Sequence, residues 1–518
     1  MNTNTFSYGE DQLTYELGMK LLRGEIRGRL SAQTRENIER CSKIVKEISL
    51  GTDAVYGINT GFGPLCTEAI SPEETLALQE KLLKSHAVGV GKAISPEISR
   101  LMLILKVHAL SKGHSGIQMQ TLARILWMID EEISPFVPSQ GSVGASGDLA
   151  PLAHLFLPLI GLGKLWWKGE LYPANDLLEK FGLTALQLGP KEGLALINGT
   201  QFIAAHALMV VDKFRSCLEH ADLTGALMLE GLQGSAKPFA PELHALRPYA
   251  GSQEVAKRIS FFLEGSEILA SHANCSRVQD PYSLRCMPQV HGASRNAWLH
   301  LKDMLEIEIN AVTDNPLIFE DGHSISGGNF HGQPIALPID YACLAAAELG
   351  NISDRRSYLS LTGVYPPVPK LLMKNTGSNS GFMIHQYTSA ALVSENKSLC
   401  FPASADSIPT SLGQEDHVSM GSISGRKAMQ VLENVEKILA IELLLAAQAI
   451  DYQRPLKSGP VLEAVHSRVR EEIDHSEEDK VYTDDIEAAI QLIQDQTLIK
   501  ISHEYIHQSE ADDLFRIH

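Results

Sequence analysis

The stretch Gly141-Ser142-Val143-Gly144-Ala145-Ser146-Gly147-Asp148-Leu149-Ala150-Pro151-Leu152 holds three glycines within seven residues, too many for a helix interior. A cap at Asp148 followed by the apolar run from Leu149 to Ile160 predicts a helix beginning there. A glycine-rich loop ahead of a helix invites a phosphate or nucleophile reading. Neither fits: there is no G-x-x-x-x-G-K-[ST], no G-x-G-x-x-G after a strand, and Ser146 is not framed as G-x-S-x-G. Ala145-Ser146-Gly147 offers different chemistry if the backbone is forced into a compressed turn that brings the Gly147 amide nitrogen onto the Ala145 carbonyl carbon. Only glycine lacks the Cβ that would block that approach. Ring closure, with one water lost from the ring and one from the Ser146 hydroxyl, leaves an exocyclic methylidene conjugated to an imidazolone. That group is an electrophile made from the chain alone.

A three-residue string is weak evidence by itself, since an ordinary glycine-rich turn reads the same way. The whole twelve-residue stretch, however, resembles the signature of the aromatic amino acid ammonia-lyase and aminomutase family, which uses such a 4-methylideneimidazole-5-one (MIO) group. Further stretches resemble family elements in the same order. Tyr56-Gly57-Ile58-Asn59-Thr60-Gly61-Phe62-Gly63 is similar to its tyrosine loop, which implies that Tyr56 is the base that takes a substrate β-proton. A free phenol ionises near about 10, so that role needs surroundings that favour phenolate, such as converging helix N-termini. Asn198, in Gly193-Leu194-Ala195-Leu196-Ile197-Asn198-Gly199-Thr200, corresponds to an asparagine beside the prosthetic group. Gln279-Asp280-Pro281-Tyr282-Ser283-Leu284-Arg285-Cys286 implies Arg285 for the substrate carboxylate, with Tyr282 and Gln279 beside it. A planar guanidinium suits bidentate carboxylate recognition. Phe330, in Gly327-Gly328-Asn329-Phe330-His331-Gly332, is implied to pack near the prosthetic group and substrate. The resemblance runs from about residue 12 to about 490, and takes in Asp314-Asn315-Pro316 and Ser394-Glu395-Asn396-Lys397.

Two residues bear on the substrate. An imidazole carries two ring nitrogens that must be hydrogen-bonded when buried, whereas a phenyl ring carries none. His86, in Lys84-Ser85-His86-Ala87-Val88-Gly89, matches the histidine of the family's histidine-specific branch, although tyrosine-specific members carry one there too. Glu415, in Gln414-Glu415-Asp416-His417-Val418-Ser419-Met420, stands where the phenylalanine and tyrosine branches carry glutamine, and a carboxylate can accept an imidazole N–H. The expected reaction is elimination of ammonia from L-histidine to give trans-urocanate, the first step of histidine degradation. The alternative is a tyrosine or phenylalanine ammonia-lyase or aminomutase on the same scaffold. Ser411-Leu412-Gly413 and His385 depart from the usual family pattern and bear on fine pocket shape.

These residues need elements to hold them. Ser71-Pro72-Glu73-Glu74 and Ser95-Pro96 are helix starts, and Ile38, Cys41, Val45 and Ile48 mark an amphipathic helix. Downstream of Asn198 the periodic segments lengthen: 202–232, 297–312, 336–353, 383–399 and 425–452 read as helices with wide apolar faces. Hairpins are expected around Lys168-Gly169 and Asp321-Gly322. The fold class is therefore mainly α, a long-helix bundle (198–518) with a smaller N-terminal domain (1–197) and two short β-hairpins. The resemblance places it in the ammonia-lyase and fumarase-like superfamily.

With 518 residues, 44% of them hydrophobic, the chain can bury a large core. Its 44 Lys and Arg against 62 Asp and Glu give a net charge of -18, which disfavours nucleic acid and anionic membranes as partners. The most apolar run, Ile438 to Ile450, is interrupted by Glu442 and Gln448 and is too short to span a membrane. Seven scattered cysteines (41, 66, 217, 275, 286, 343 and 400) form no C-x-x-C pair, so neither a disulfide framework nor a thiolate metal site is expected. No secretory signal follows Met1, so the sequons at Asn198 and Asn274 should carry no sugar, and a cytoplasmic location is expected. Neither a metal nor a dissociable cofactor is expected. The resemblance implies a homotetramer whose active sites draw residues from three subunits.

Overall fold

The computed structural model describes residues 5–51, 54–61, 72–273 and 277–506. Phe62 and Gly63 of the tyrosine loop, Ser71, Cys66, and the sequon at Asn274 with Cys275 lie outside those residues.

Helices dominate, and most begin where the local chemistry predicts. Ser95 caps Pro96–Leu110 by accepting the Ile98 N–H at 3.3 Å, with proline in the first turn. The expected amphipathic helix is Ala32–Ser49, capped by Ser31 and burying Ile38, Cys41 and Val45. The long helices are Gln201–Gly231, Met287–Glu308, Gln333–Ser360, Met383–Leu399 and Gly421–Asp451. Met287–Glu308 starts ten residues ahead of the expected 297, because Pro288 in its first turn opens a helix where it would break an interior, and Gly292 and Ser294 hide the apolar period.

By backbone proximity the chain divides into two compact units, each built from three stretches: residues 1–209, 301–340 and 402–426 form one, and 210–300, 341–401 and 427–518 the other. A cut into 1–197 and 198–518 therefore does not separate them.

Among the described residues, every strand belongs to the first unit. Both expected hairpins form: Lys164–Trp167 pairs with Glu170–Pro173 across Lys168-Gly169, and Leu317–Ile318 with Ser324–Ile325. Ser134–Pro135 extends the former to three strands. Two pairings were not anticipated, Thr5–Ser7 parallel to Arg27–Arg29 and Val90–Ala93 antiparallel to Pro138–Gln140.

In the second unit the run Ile438 to Ile450 is buried, and its two polar residues are satisfied there. Glu442 accepts from Ser353 Oγ at 2.5 Å and Arg356 Nη2 at 2.9 Å, and Gln448 Nε2 donates to Ser476 O at 2.8 Å. Such pairing is what lets charge sit in a core. Among the described residues only Gln333–Ser360 has the length and composition of a membrane span, and 61% of its apolar window is buried, as in a core helix.

Candidate active site

A cavity of about 500 Å³ in the first unit is lined by six of the singled-out residues: Tyr56, Ala145, Ser146, Asn198, Phe330 and Glu415. Each is held by a local device.

Tyr56 sits in a turn closed by the Ile58 and Asn59 N–H groups on Val55 O (3.1 and 3.3 Å) and by Val55 N–H on Asn59 Oδ1 (2.8 Å). Ile58 anchors that turn in a cluster with Cys41, Val45 and Ile318. An apolar plug thus fixes a loop that carries a phenol.

The tripeptide is tightly bent. Ser146 has φ 52° and Gly147 φ 77°, both left-handed, and the former is uncommon for a residue with a Cβ. A Cβ on Gly147 would lie 2.1 Å from Gly199 O, so only glycine fits. Residue 199 grips both flanks: Asp148 N–H donates to Gly199 O at 2.8 Å, and Gly199 N–H reaches Ser146 O at 3.4 Å. On the other side Met420 N–H donates to Val143 O (3.0 Å) and Ser422 Oγ to Ser142 O (2.7 Å).

Asp148 occupies the cap position of Leu149–Phe156, yet its side chain does not cap that helix. Fully buried, it accepts instead from Phe202 N (3.1 Å) and Ile203 N (3.0 Å) in the first turn of Gln201–Gly231, and from Ser142 Oγ (3.1 Å). Burial pushes its carboxyl up to about 7, against the opposing pull of those three bonds.

Asn198 donates through Nδ2 to Asn315 O at 2.9 Å, while its buried Oδ1 has no partner among the described residues. Asn315 Oδ1 in turn takes Gly327 N–H (2.8 Å) and Ser326 Oγ (3.2 Å), tethering the loop that presents Phe330. Glu415 follows a tight turn in which Ser411, Leu412 and Gly413 all have positive φ (50°, 58° and 89°), closed by Thr410 N–H on Glu415 O at 2.8 Å. Its Oε2 is shielded from solvent with no hydrogen-bond partner among the described residues.

The remaining singled-out residues lie elsewhere. His86 ends the helix Pro72–His86, is not among the cavity-lining residues, and has Nδ1 3.0 Å from Ser85 Oγ. Burial lowers its pKa, favouring the neutral ring. Gln279, Tyr282 and Arg285 belong to the second unit. There Arg285 stacks 4.5 Å from the Tyr282 ring, donates to Asp280 O at 2.9 Å, and Tyr282 is 70% exposed. Gln279 lines a separate cavity of about 230 Å³ in that unit. His385, also of the second unit, packs against the Phe382 and Tyr482 rings at 4.8 and 4.6 Å.

The cavity also holds residues that sequence reasoning passed over, notably His331 and His417, whose rings stack 5.6 Å apart. Both sit inside motifs quoted above, one residue after Phe330 and two after Glu415. In an extended segment, residues two apart share a face, and that spacing was the available signal for His417.

The donor set fits an internally formed electrophile. A left-handed Ser-Gly pair faces a wall that no Cβ could share, and the orphaned Asn198 Oδ1 lies in the same cavity. Among the described residues no group of three or more His, Cys, Asp or Glu is disposed to hold a metal ion.

A model of the aromatic amino acid lyase family matches residues 13–471. A histidine ammonia-lyase of Myxococcus xanthus is 46% identical over 93% of this chain and 95% of its own length. The crystal structure of histidine ammonia-lyase from Trypanosoma cruzi superposes with a TM-score of 0.91 at 39% identity, covering 99% of this chain and 97% of that one. Tyrosine aminomutase from Streptomyces globisporus superposes equally well, with a TM-score of 0.92, but at 32% identity over 97% of this chain and 99% of its own.

Proposed function

The chain belongs to the aromatic amino acid lyase family, and on that premise we propose that it eliminates ammonia from L-histidine to give trans-urocanate. The observation that carries this reading is Glu415, whose Oε2 is shielded from solvent and has no hydrogen-bond partner among the described residues, in the same cavity as Tyr56 and Ser146. A carboxylate left unpaired in a pocket awaits a donor, and an imidazole N–H supplies one where a phenyl ring cannot.

Cyclised, Ala145-Ser146-Gly147 supplies an electron-poor methylidene carbon in place of a metal or bound cofactor. The other residues do ordinary work. Tyr56 takes the substrate β-proton, Asn198 and Phe330 bound the space beside the tripeptide, and Glu415 orients the imidazole; His86 keeps the substrate-binding role that the family resemblance implies, although it does not line this cavity. Arg285, with Tyr282 and Gln279, binds the carboxylate. We further propose a cytoplasmic homotetramer in which those three serve the cavity of another subunit, which would cover the exposed Tyr282.

Two expected results test the reading at once. Glu415→Gln loses a charge-assisted hydrogen bond worth roughly 1.5 to 3 kcal/mol, so kcat/KM on L-histidine should fall by about one to two powers of ten. Any activity on tyrosine or phenylalanine should fall far less, since neither ring offers Glu415 an N–H. An equal proportional loss on all three would assign Glu415 to the shared amine or to the fold. Prolonged dialysis against a chelator should leave activity unchanged, because among the described residues no group of three or more His, Cys, Asp or Glu is disposed to hold a metal, and the cavity residues include no cysteine. His503 of the sequence His503-Glu504-Tyr505-Ile506-His507 faces Glu219 at 3.4 Å, and neither is among the cavity-lining residues. Inactivation reversed specifically by one added metal would contradict it.

A further inference from the structure

Lys106 lies inside the helix Pro96–Leu110 among Leu103, Ile104, Leu105 and Val107, and is itself 2% exposed. An apolar side chain would fill that position at lower cost, because an ammonium gives up its hydration on burial. Burial depresses its pKa to about 7. The nearby carboxylate of Asp314 is taken by Lys191 at 2.6 Å. Lys106 instead directs Nζ at the backbone carbonyl of Asn198, with Gln201 Oε1 at 3.4 Å.

That carbonyl belongs to the peptide that leads into Gly199, and Gly199 is the wall against which Ser146, Gly147 and Asp148 are folded. Gln201, the second acceptor, is tied through Nε2 to Thr313 Oγ1 at 3.0 Å. Lys106 thus holds the 198–201 segment at both ends through Nζ.

We infer that Lys106 is a positioning residue for maturation: by holding the Asn198 carbonyl it presses Gly199 onto the tripeptide, so that the Gly147 nitrogen meets the Ala145 carbonyl carbon. The step balances without an oxidant. The new N–C bond forms as the Gly147 amide proton passes to the Ala145 oxygen. That oxygen leaves as water with the Ser146 amide proton, giving C=N, and the Ser146 hydroxyl leaves with the Cα proton, giving C=C. Two waters depart, and Lys106 is not consumed.

This inference rests on the electrophile proposed above, and intact mass separates the two. The full-length chain, Lys106→Met, Lys106→Gln and Lys106→Arg are each produced, and the fraction two waters lighter than its own sequence is followed over time, beside the melting temperature. The unaltered chain should convert fully. Lys106→Met should fold with equal or higher melting temperature yet lose water roughly 10- to 100-fold more slowly, the effect of one lost charge-assisted hydrogen bond. Lys106→Gln, a neutral donor, should be intermediate, and Lys106→Arg should recover most of the rate. Conversion of Lys106→Met at the unaltered rate overturns the inference, and so does failure of both Met and Gln variants to fold, which would make Lys106 structural. If the unaltered chain itself keeps its full mass, the electrophile is what fails.

Discussion

Ser146→Ala should leave a folded chain whose kcat/KM on L-histidine is lower by on the order of 10³ to 10⁶, the range seen when a group essential to the chemical step is removed. Alanine keeps the Cβ, so the left-handed backbone at residue 146 costs no more than with serine. Only the hydroxyl goes, and with it the second water that must leave to make the methylidene carbon. Ser146 is only half-buried, so little packing is lost. Melting temperature and far-ultraviolet circular dichroism should therefore match the unaltered chain while the mass no longer falls by two waters. Full activity in this variant would remove the tripeptide from the chemistry.

Tyr56→Phe should lower kcat by about 10² to 10⁴, the usual worth of a positioned general base, with KM changed much less. The ring that fills its corner of the cavity is retained, and the turn that carries it is held by the Ile58 and Asn59 N–H groups on Val55 O and by Val55 N–H on Asn59 Oδ1. A variant with an unchanged kcat and a raised KM would make Tyr56 a binding residue and leave the β-proton without a base.

What was legible in the sequence follows from how local each constraint is. The tight bend at Ala145-Ser146-Gly147 was legible because it is local: glycine is the residue type that takes positive φ freely, and Ser146 and Gly147 have φ 52° and 77°. The long helices declared themselves through apolar faces. The strand pairs Thr5–Ser7 with Arg27–Arg29 and Val90–Ala93 with Pro138–Gln140 did not, since runs of three or four residues are too short to establish an alternation. Asp148 looks like a cap for the helix after it, and caps instead one that starts over fifty residues later, a choice made by tertiary packing alone. Nothing local to Lys106 signals its burial, which comes from the elements packed around its helix. The contiguous two-part division missed that each unit takes three stretches of chain, because no local composition change marks a crossing inside a long helix.

The central claim is tested most directly by supplying the purified chain with L-histidine and measuring ammonia and the conjugated product together. Ammonia and trans-urocanate should appear in equal amounts, and faster than ammonia from tyrosine or phenylalanine at the same concentration. Release of ammonia from either of those in preference to L-histidine, or none from any of the three, would contradict it.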